Sequence, residues 1–177
     1  MNNDGSDNHK IEIPIDGFNP SFTPGGNKIM FYSGFDWDKD IYFIGTDGSN
    51  MQRLIINSIW EEGAQMTNDE SKIFFTGLSD NRWDIYAFET AGSKLRNLTN
   101  GIGINHDPVL SPDEKLIAFS SSRDDHEVFL MYSDGSNPSN IGKFYLRPGS
   151  WSSDSRKFAF SSEREGITGI YVFYLYE

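Results

Sequence analysis

Three groups of residues have types and spacings that bear on chemistry. Asp36, Asp38 and Asp40 form D-x-D-x-D, a spacing at which alternate carboxylates can converge on a hard cation. Glycine is absent from the sixth position of the loop so begun, and the pattern reads first as a turn ahead of a strand, with calcium binding its weak alternative. His106 and Asp107 make the best histidine–carboxylate pair for acid–base work, in a chain whose other histidines are His9 and His126. Trp37, Trp60, Trp83 and Tyr145, with Phe35, fall in linking segments that also carry Glu61, Glu62, Asp125 and Arg147. Rings beside charges of this kind can stack on a sugar or anchor a peptide. Trp60, Ile104 and Tyr145 also stand at equivalent points, each six residues before Met66, Leu110 and Trp151, which fits shared packing as well as binding.

Other catalytic devices are missing from the sequence. There is no G-x-S-x-G elbow, and Gly25-Gly26 joins two strand segments instead of opening a phosphate-binding helix. The absence of cysteine excludes thiol catalysis, thiolate metal sites and a disulfide framework. With 26 Asp and Glu in 177 residues, paired carboxylates identify nothing by their presence. The expectation is a protein that is not an enzyme and uses no cofactor. The net charge of −11 repels a phosphate backbone and an anionic lipid surface alike, so neither nucleic acid nor membrane insertion is expected. The polar start MNNDGSDNHK has no apolar export core. As written the chain reads as soluble and cytoplasmic, and an export signal removed earlier would make it periplasmic or extracytoplasmic.

The elements that must hold these residues follow from a repeat. Phe31, Phe75, Phe119 and Phe160 stand 44, 44 and 41 residues apart, and Tyr42, Tyr86, Phe129 and Tyr171 stand 44, 43 and 42 apart. Two series with one period mean four copies of one unit. Each unit holds four short strand signals, A to D, separated by turn residues. Strand B is KIMFYS, KIFFTG, LIAFSS or KFAFSS, and strand C is DIYFIG, DIYAFE, EVFLMY or GIYVFY. Ile29 and Phe31 point one way, Met30 and Tyr32 the other, so both faces need covering layers. Asp47-Gly48-Ser49-Asn50 and Asp134-Gly135-Ser136-Asn137 are tight C-to-D turns, and Thr23-Pro24-Gly25-Gly26 and Ser111-Pro112-Asp113-Glu114 are A-to-B turns. Glu61 to Lys72 has some helical character, but the repeat makes it strand, turn, strand.

The expected fold is therefore an all-β propeller of four four-stranded blades. Blade 1 spans about residues 19–56, blade 2 about 62–99, blade 3 about 106–142 and blade 4 about 148–177. DGSDNHKIEI from Asp4 aligns without a gap on DGSNMQRLII from Asp47. Lys10 to Ile15 is thereby expected to serve as strand D of the last blade and close the ring in a 3+1 sheet.

The order DP-hydrophobic-SPD, IAF-S-R, DIY, DGSN and LT resembles the WD-like repeat of the TolB propeller family over residues 4–177. The resemblance rests on Pro20, Phe22, Pro24, Gly26, Phe31, Asp40, Tyr42, Asp47 and Gly48, and on Asp107, Pro108, Ser111, Pro112, Asp113, Ile117, Ala118, Phe119 and Arg123. Trp151 holds the family's usual Trp position, where Phe22, Met66 and Leu110 stand in the other copies. Family members usually have six blades, and the namesake adds an α/β domain and binds partner proteins through its propeller channel in the cell envelope. A four-bladed ring has a narrower channel, which puts that binding mode in doubt here. The resemblance also includes a lyase that holds metal with propeller histidines, a weak precedent for His106. It implies a scaffold that binds a protein or peptide on the face bearing the D-to-A and B-to-C connections. The candidate residues there are Trp37, Trp60, Glu61, Glu62, Trp83, His106, Asp107, Tyr145 and Arg147. Alternatives are a carbohydrate-binding, hydrolase or lyase propeller centred on His106, or a propeller fragment without a ligand of its own. Homo-oligomerisation by strand exchange is a further expected mode of association.

Overall fold

The computed structural model describes residues 9–34, 39–54, 60–123, 127–143, 149–164 and 166–176. Fifteen strands run through these residues in four antiparallel sheets. The first holds β1 (Phe18–Phe22), β2 (Lys28–Ser33), β3 (Asp40–Gly45) and β4 (Gln52–Arg53). The second holds β5 (Trp60–Met66), β6 (Lys72–Ser79), β7 (Arg82–Glu89) and β8 (Lys94–Asn97). The third holds β9 (Asn105–Leu110), β10 (Leu116–Ser121), β11 (Glu127–Tyr132) and β12 (Ser139–Lys143), and the fourth β13 (Ser150–Trp151), β14 (Lys157–Arg164) and β15 (Ile167–Tyr174). Within each sheet the spatial order follows the chain, the up-and-down meander of a propeller blade. The repeat reading of Glu61 to Lys72 holds: β5, a turn, then the start of β6.

Each aromatic series occupies one register. Phe31 is paired with Tyr42, Phe75 with Tyr86, Phe119 with Phe129 and Phe160 with Tyr171, and the ring centroids of these pairs lie 5.6 to 6.2 Å apart. The core lies between sheets, because the alternate faces of the B and C strands are both apolar. Met30, Tyr32 and Ile41 pack on Ile73, Phe75, Tyr86 and Phe88. Phe74, Ile85 and Ala87 then pack on Ile117, Phe119, Phe129 and Met131, and Ala118, Val128 and Leu130 on Phe158 and Phe160.

The turns are built from side chains that accept their own backbone N–H groups. Asp69 accepts from the Thr67 hydroxyl and the Ser71 N–H at 2.7 and 3.0 Å. Ser111 with Asp113, and Ser152 with Asp154, repeat the hydroxyl contact at 2.7 and 2.5 Å. These are Asx-type turns, which set the A-to-B connections of the second, third and fourth sheets locally; the first turn has Gly25 at the position of the aspartate. Adjacent turns are also tied together: Glu70 Oε1 accepts from the Gly25 N–H and Glu114 Oε1 from the Asn68 N–H.

A register shift interrupts strand A in the first three sheets, between Phe18 and Ser21, Glu62 and Gln65, and opposite Ala118 to Ser120. At these points Asn19, Gly63 and Asp107 have φ of 49°, 64° and 52°, the left-handed geometry of a β-bulge. The bulge recurs every 44 residues, so the histidine–carboxylate pair contains a backbone hinge of the repeat.

The structure differs from the expected 3+1 closure. The fourth sheet has three strands among the described residues, in the order β13-β14-β15, and residues 9–15 are in no strand. Ile11 and Ile13 instead share an apolar groove with Ile29, Phe31 and Ile44 of the first sheet. The physical reason is that, among the described residues, no other sheet lies against this face, and the nearest apolar segment covers it.

Candidate functional site

The starts of β5 and β9 and the tight β6–β7 turn lie together at one end of the second and third sheets. Trp83 enters from the beginning of β7, Glu62 from β5 and His106 from β9. Glu62 Oε1 lies 3.5 Å from His106 Nδ1, an ion pair when the imidazole is protonated. The His106 ring sits 4.9 Å from the Trp83 ring at an interplanar angle of 43°. These three side chains are partly accessible, with the His106 side chain 30% and the Glu62 side chain 42% exposed. They form a small acidic-aromatic surface supplied by two neighbouring sheets.

Asp107 does a different job from the one its adjacency to His106 implies. It occupies the bulge, and its N–H donates to the buried Thr76 hydroxyl at 2.9 Å. The carboxylate placed at the imidazole is that of Glu62. A Cβ added at Gly63, the equivalent bulge residue one sheet earlier, would lie 3.7 Å from Pro108 Cδ and 3.9 Å from Asp107 Cα, so the two bulges bring β5 and β9 close together.

Glu61 also departs from its expected place on the binding face. Its side chain is fully buried between the first two sheets, and Oε2 accepts the Ile41 N–H at 2.9 Å. Oε1 has no hydrogen-bond partner among the described residues. Burial pushes this carboxyl up to about 8; the Ile41 hydrogen bond and the Arg53 charge oppose that rise, while Asp40 adds to it. Tyr32, whose oxygen accepts the Ala64 N–H, is pushed up to about 12, mainly by burial. The neighbouring Asp40 is held by Arg53 at 2.7 Å. Asp36 and Asp38, the other members of D-x-D-x-D, lie outside the described residues, as do Phe35, Trp37, Asp125, His126, Tyr145 and Arg147. Trp60 opens β5, paired with Leu78; its side chain is outside the described part of the structure.

One constellation escaped the sequence reading. Asp84, buried at the start of β7, accepts from Thr99 Oγ1, the Gly101 N–H and Asn105 Nδ2 through Oδ1, and from Asn97 Nδ2 through Oδ2. It is the counterpart of Asp40 in the repeated D-I-Y triplet, and that repetition was the available signal. Asn105 is likewise the register counterpart of Glu61: each reaches back from strand A to the preceding sheet. Among the described residues no three His, Asp or Glu side chains converge as a metal site.

Successive four-stranded meanders with bulged first strands, Asx-bound turns and cores between sheets define a β-propeller. The chain belongs to the TolB beta propeller domain family, which matches residues 8–147. It is 32% identical over 110 residues to the Tol-Pal system protein TolB of Francisella tularensis subsp. tularensis (strain WY96-3418), covering 60% of this chain and 25% of that protein. It resembles the crystal structure of TolB from Acinetobacter baumannii with a TM-score of 0.74 at 21% identity, over 90% of this chain and 41% of that one. An oligogalacturonate lyase in complex with manganese gives a TM-score of 0.72 at 16% identity, over 91% of this chain and 49% of the lyase. Both structural likenesses concern the fold. The chain spans a quarter of the length of the curated relative and less than half of these two solved chains.

Proposed function

We propose that this chain is a non-catalytic scaffold that binds a protein or peptide on the face where the D-to-A and B-to-C connections meet. The observation that carries the reading is the Glu62–His106–Trp83 surface. A partly accessible indole offers a large contact area at little cost in rotamer entropy, and a carboxylate and imidazole beside it select polar groups of a ligand. The rigid walls behind it, held by Asp84 and the two bulges, keep the three side chains in place without a ligand. The name of the Francisella relative places that protein in a Tol-Pal system. The acidic charge of the chain favours a partner segment carrying Lys or Arg.

Selection of peptides from a displayed library on the folded chain, followed by fluorescence polarisation, tests this reading. Trp83→Ala and His106→Ala should each weaken the selected peptides about tenfold, a loss of about 1.4 kcal/mol, with an unchanged melting temperature. Unchanged affinity in both variants would remove the site from this face. Binding of an oligogalacturonide at His106 would reassign the face to sugars.

A further inference from the structure

Each contact between successive sheets sets the outer face of one against the inner face of the next, and the same positions recur. Val128 and Leu130 of the third sheet are buried by the fourth, to 0% and 5% exposure. Their counterparts in the fourth, Ile170 and Val172, are 76% and 44% exposed. Met66, Leu110 and Trp151 each pack into the sheet before their own, while their counterpart Phe22 is 70% exposed. Among the described residues, the exposed faces of the first and fourth sheets therefore present the two halves of a contact that the four sheets make three times.

The outer edge of β15 carries a second, independent signal. Its eight residues, ITGIYVFY, contain no charge and no proline, and among the described residues no strand pairs with that edge. The outermost strands of the other sheets carry Arg53, Lys94 with Arg96, and Lys143. A long uncharged edge is a template for another strand. The matching strand is present in the chain: residues 4–13 align without a gap on 47–56. Arg53 pairs with Tyr42 and Gln52 with Phe43, and Tyr171 faces Phe160 as Tyr42 faces Phe31. The same register sets Lys10 opposite Tyr171 and His9 opposite Val172, and Pro14, with no N–H, ends the pairing.

We infer that β15 is the docking edge for residues 9–13 of a second copy of this chain, whose first sheet stacks on the outer face of the fourth. On association Ile11 and Ile13 leave their own first sheet, and Ile170 and Val172 of the other copy cover Ile29 and Phe31 in their place. The interface joins like-charged copies, each −11, so it strengthens as salt screens their repulsion.

The absence of cysteine makes a site-specific test available on the whole chain. His9→Cys chains mixed with Val172→Cys chains, under mild oxidant, should form a disulfide between the two variants, and His9→Cys with Lys157→Cys should not. Light scattering should show a mass above 20.1 kDa that rises with concentration and salt, and Ile170→Asp, altering an exposed side chain, should return it to the single-chain value. A single-chain mass at every concentration and salt would overturn the proposal. So would the lack of a cross-chain disulfide, or a disulfide found only within a doubly substituted chain. Aggregation without the His9–Val172 preference would likewise overturn it.

Discussion

The backbone N–H of Ile41 donates a 2.9 Å hydrogen bond to Oε2 of Glu61 across the boundary between the first two sheets. The bond is local in space and remote in sequence, and it holds a carboxyl group out of water. A buried carboxyl without a full charge partner keeps its proton, which makes this boundary sensitive to pH.

Glu61 rises from an ordinary 4.5 to about 8 on folding. Between those values the folded chain retains a proton that the unfolded chain has released. Stability from this group is therefore complete below 4.5 and is lost as pH rises through about 8. Glu61→Gln keeps an acceptor for Ile41 and removes the titration. Urea unfolding at pH 5, 7 and 9 should show a flatter pH dependence, with the variant more stable than the parent at pH 9 by at least about 1.4 kcal/mol. Parallel curves for the two proteins would contradict the raised value.

Asp84 and Asp40 share a position in the repeat but not an environment. Asp84→Ala strands the donors of Asn97, Thr99, Gly101 and Asn105 and should cost about 3 kcal/mol. Asp40→Ala releases Arg53, whose side chain is 47% exposed, and should cost about 1 kcal/mol or less. Equal losses in denaturant melts would show that the hydrogen-bond network around Asp84 contributes nothing.

The bulge glycine at Gly63 separates backbone cost from crowding. A Cβ there would meet Pro108 at 3.7 Å, ordinary contact, with φ at 64°, so Gly63→Ala should cost about 1 kcal/mol through the left-handed backbone alone. At Gly103 the same change also drives a Cβ to 2.7 Å from Arg123 Cγ and 3.1 Å from its backbone N. Gly103→Ala should therefore cost more, about 2 kcal/mol, and reversal of that order in thermal melts would refute the argument.

Trp151 ties the fourth sheet to the third through both its ring and its N–H. Its Nε1 donates to the Val109 carbonyl at 3.0 Å, and the ring lies 5.0 Å from Phe158. Trp151→Phe preserves the ring contact and removes the donor, for a loss of about 1 kcal/mol. Faster amide exchange confined to β13–β15 would show that the loss falls on this boundary.

The repeat was legible because every sheet places a large ring at the same register, and a period of aromatic residues survives changes at other positions. The Asp-Gly turns were legible because their geometry is decided within four residues. The burial of Glu61 was not, since a Glu next to Glu62 has the pattern of a solvated strand and only the neighbouring sheet takes it out of water. The pairing of His106 with Glu62 instead of Asp107 depends on bulges that turn the chain at Gly63 and Asp107. His106 and Trp83 were both named as candidates, but their meeting joins two sheets and has no signature in either strand alone.

The residues by themselves determined the all-β repeat, its strand order and its acidic character, because alternation, turn chemistry and charge are properties of short segments. Tertiary structure decided where the apolar pair Ile11 and Ile13 is buried. IEI suits strand pairing and face covering equally, and the choice between β15 and the first sheet follows from which uncovered surface lies within reach of the folded chain.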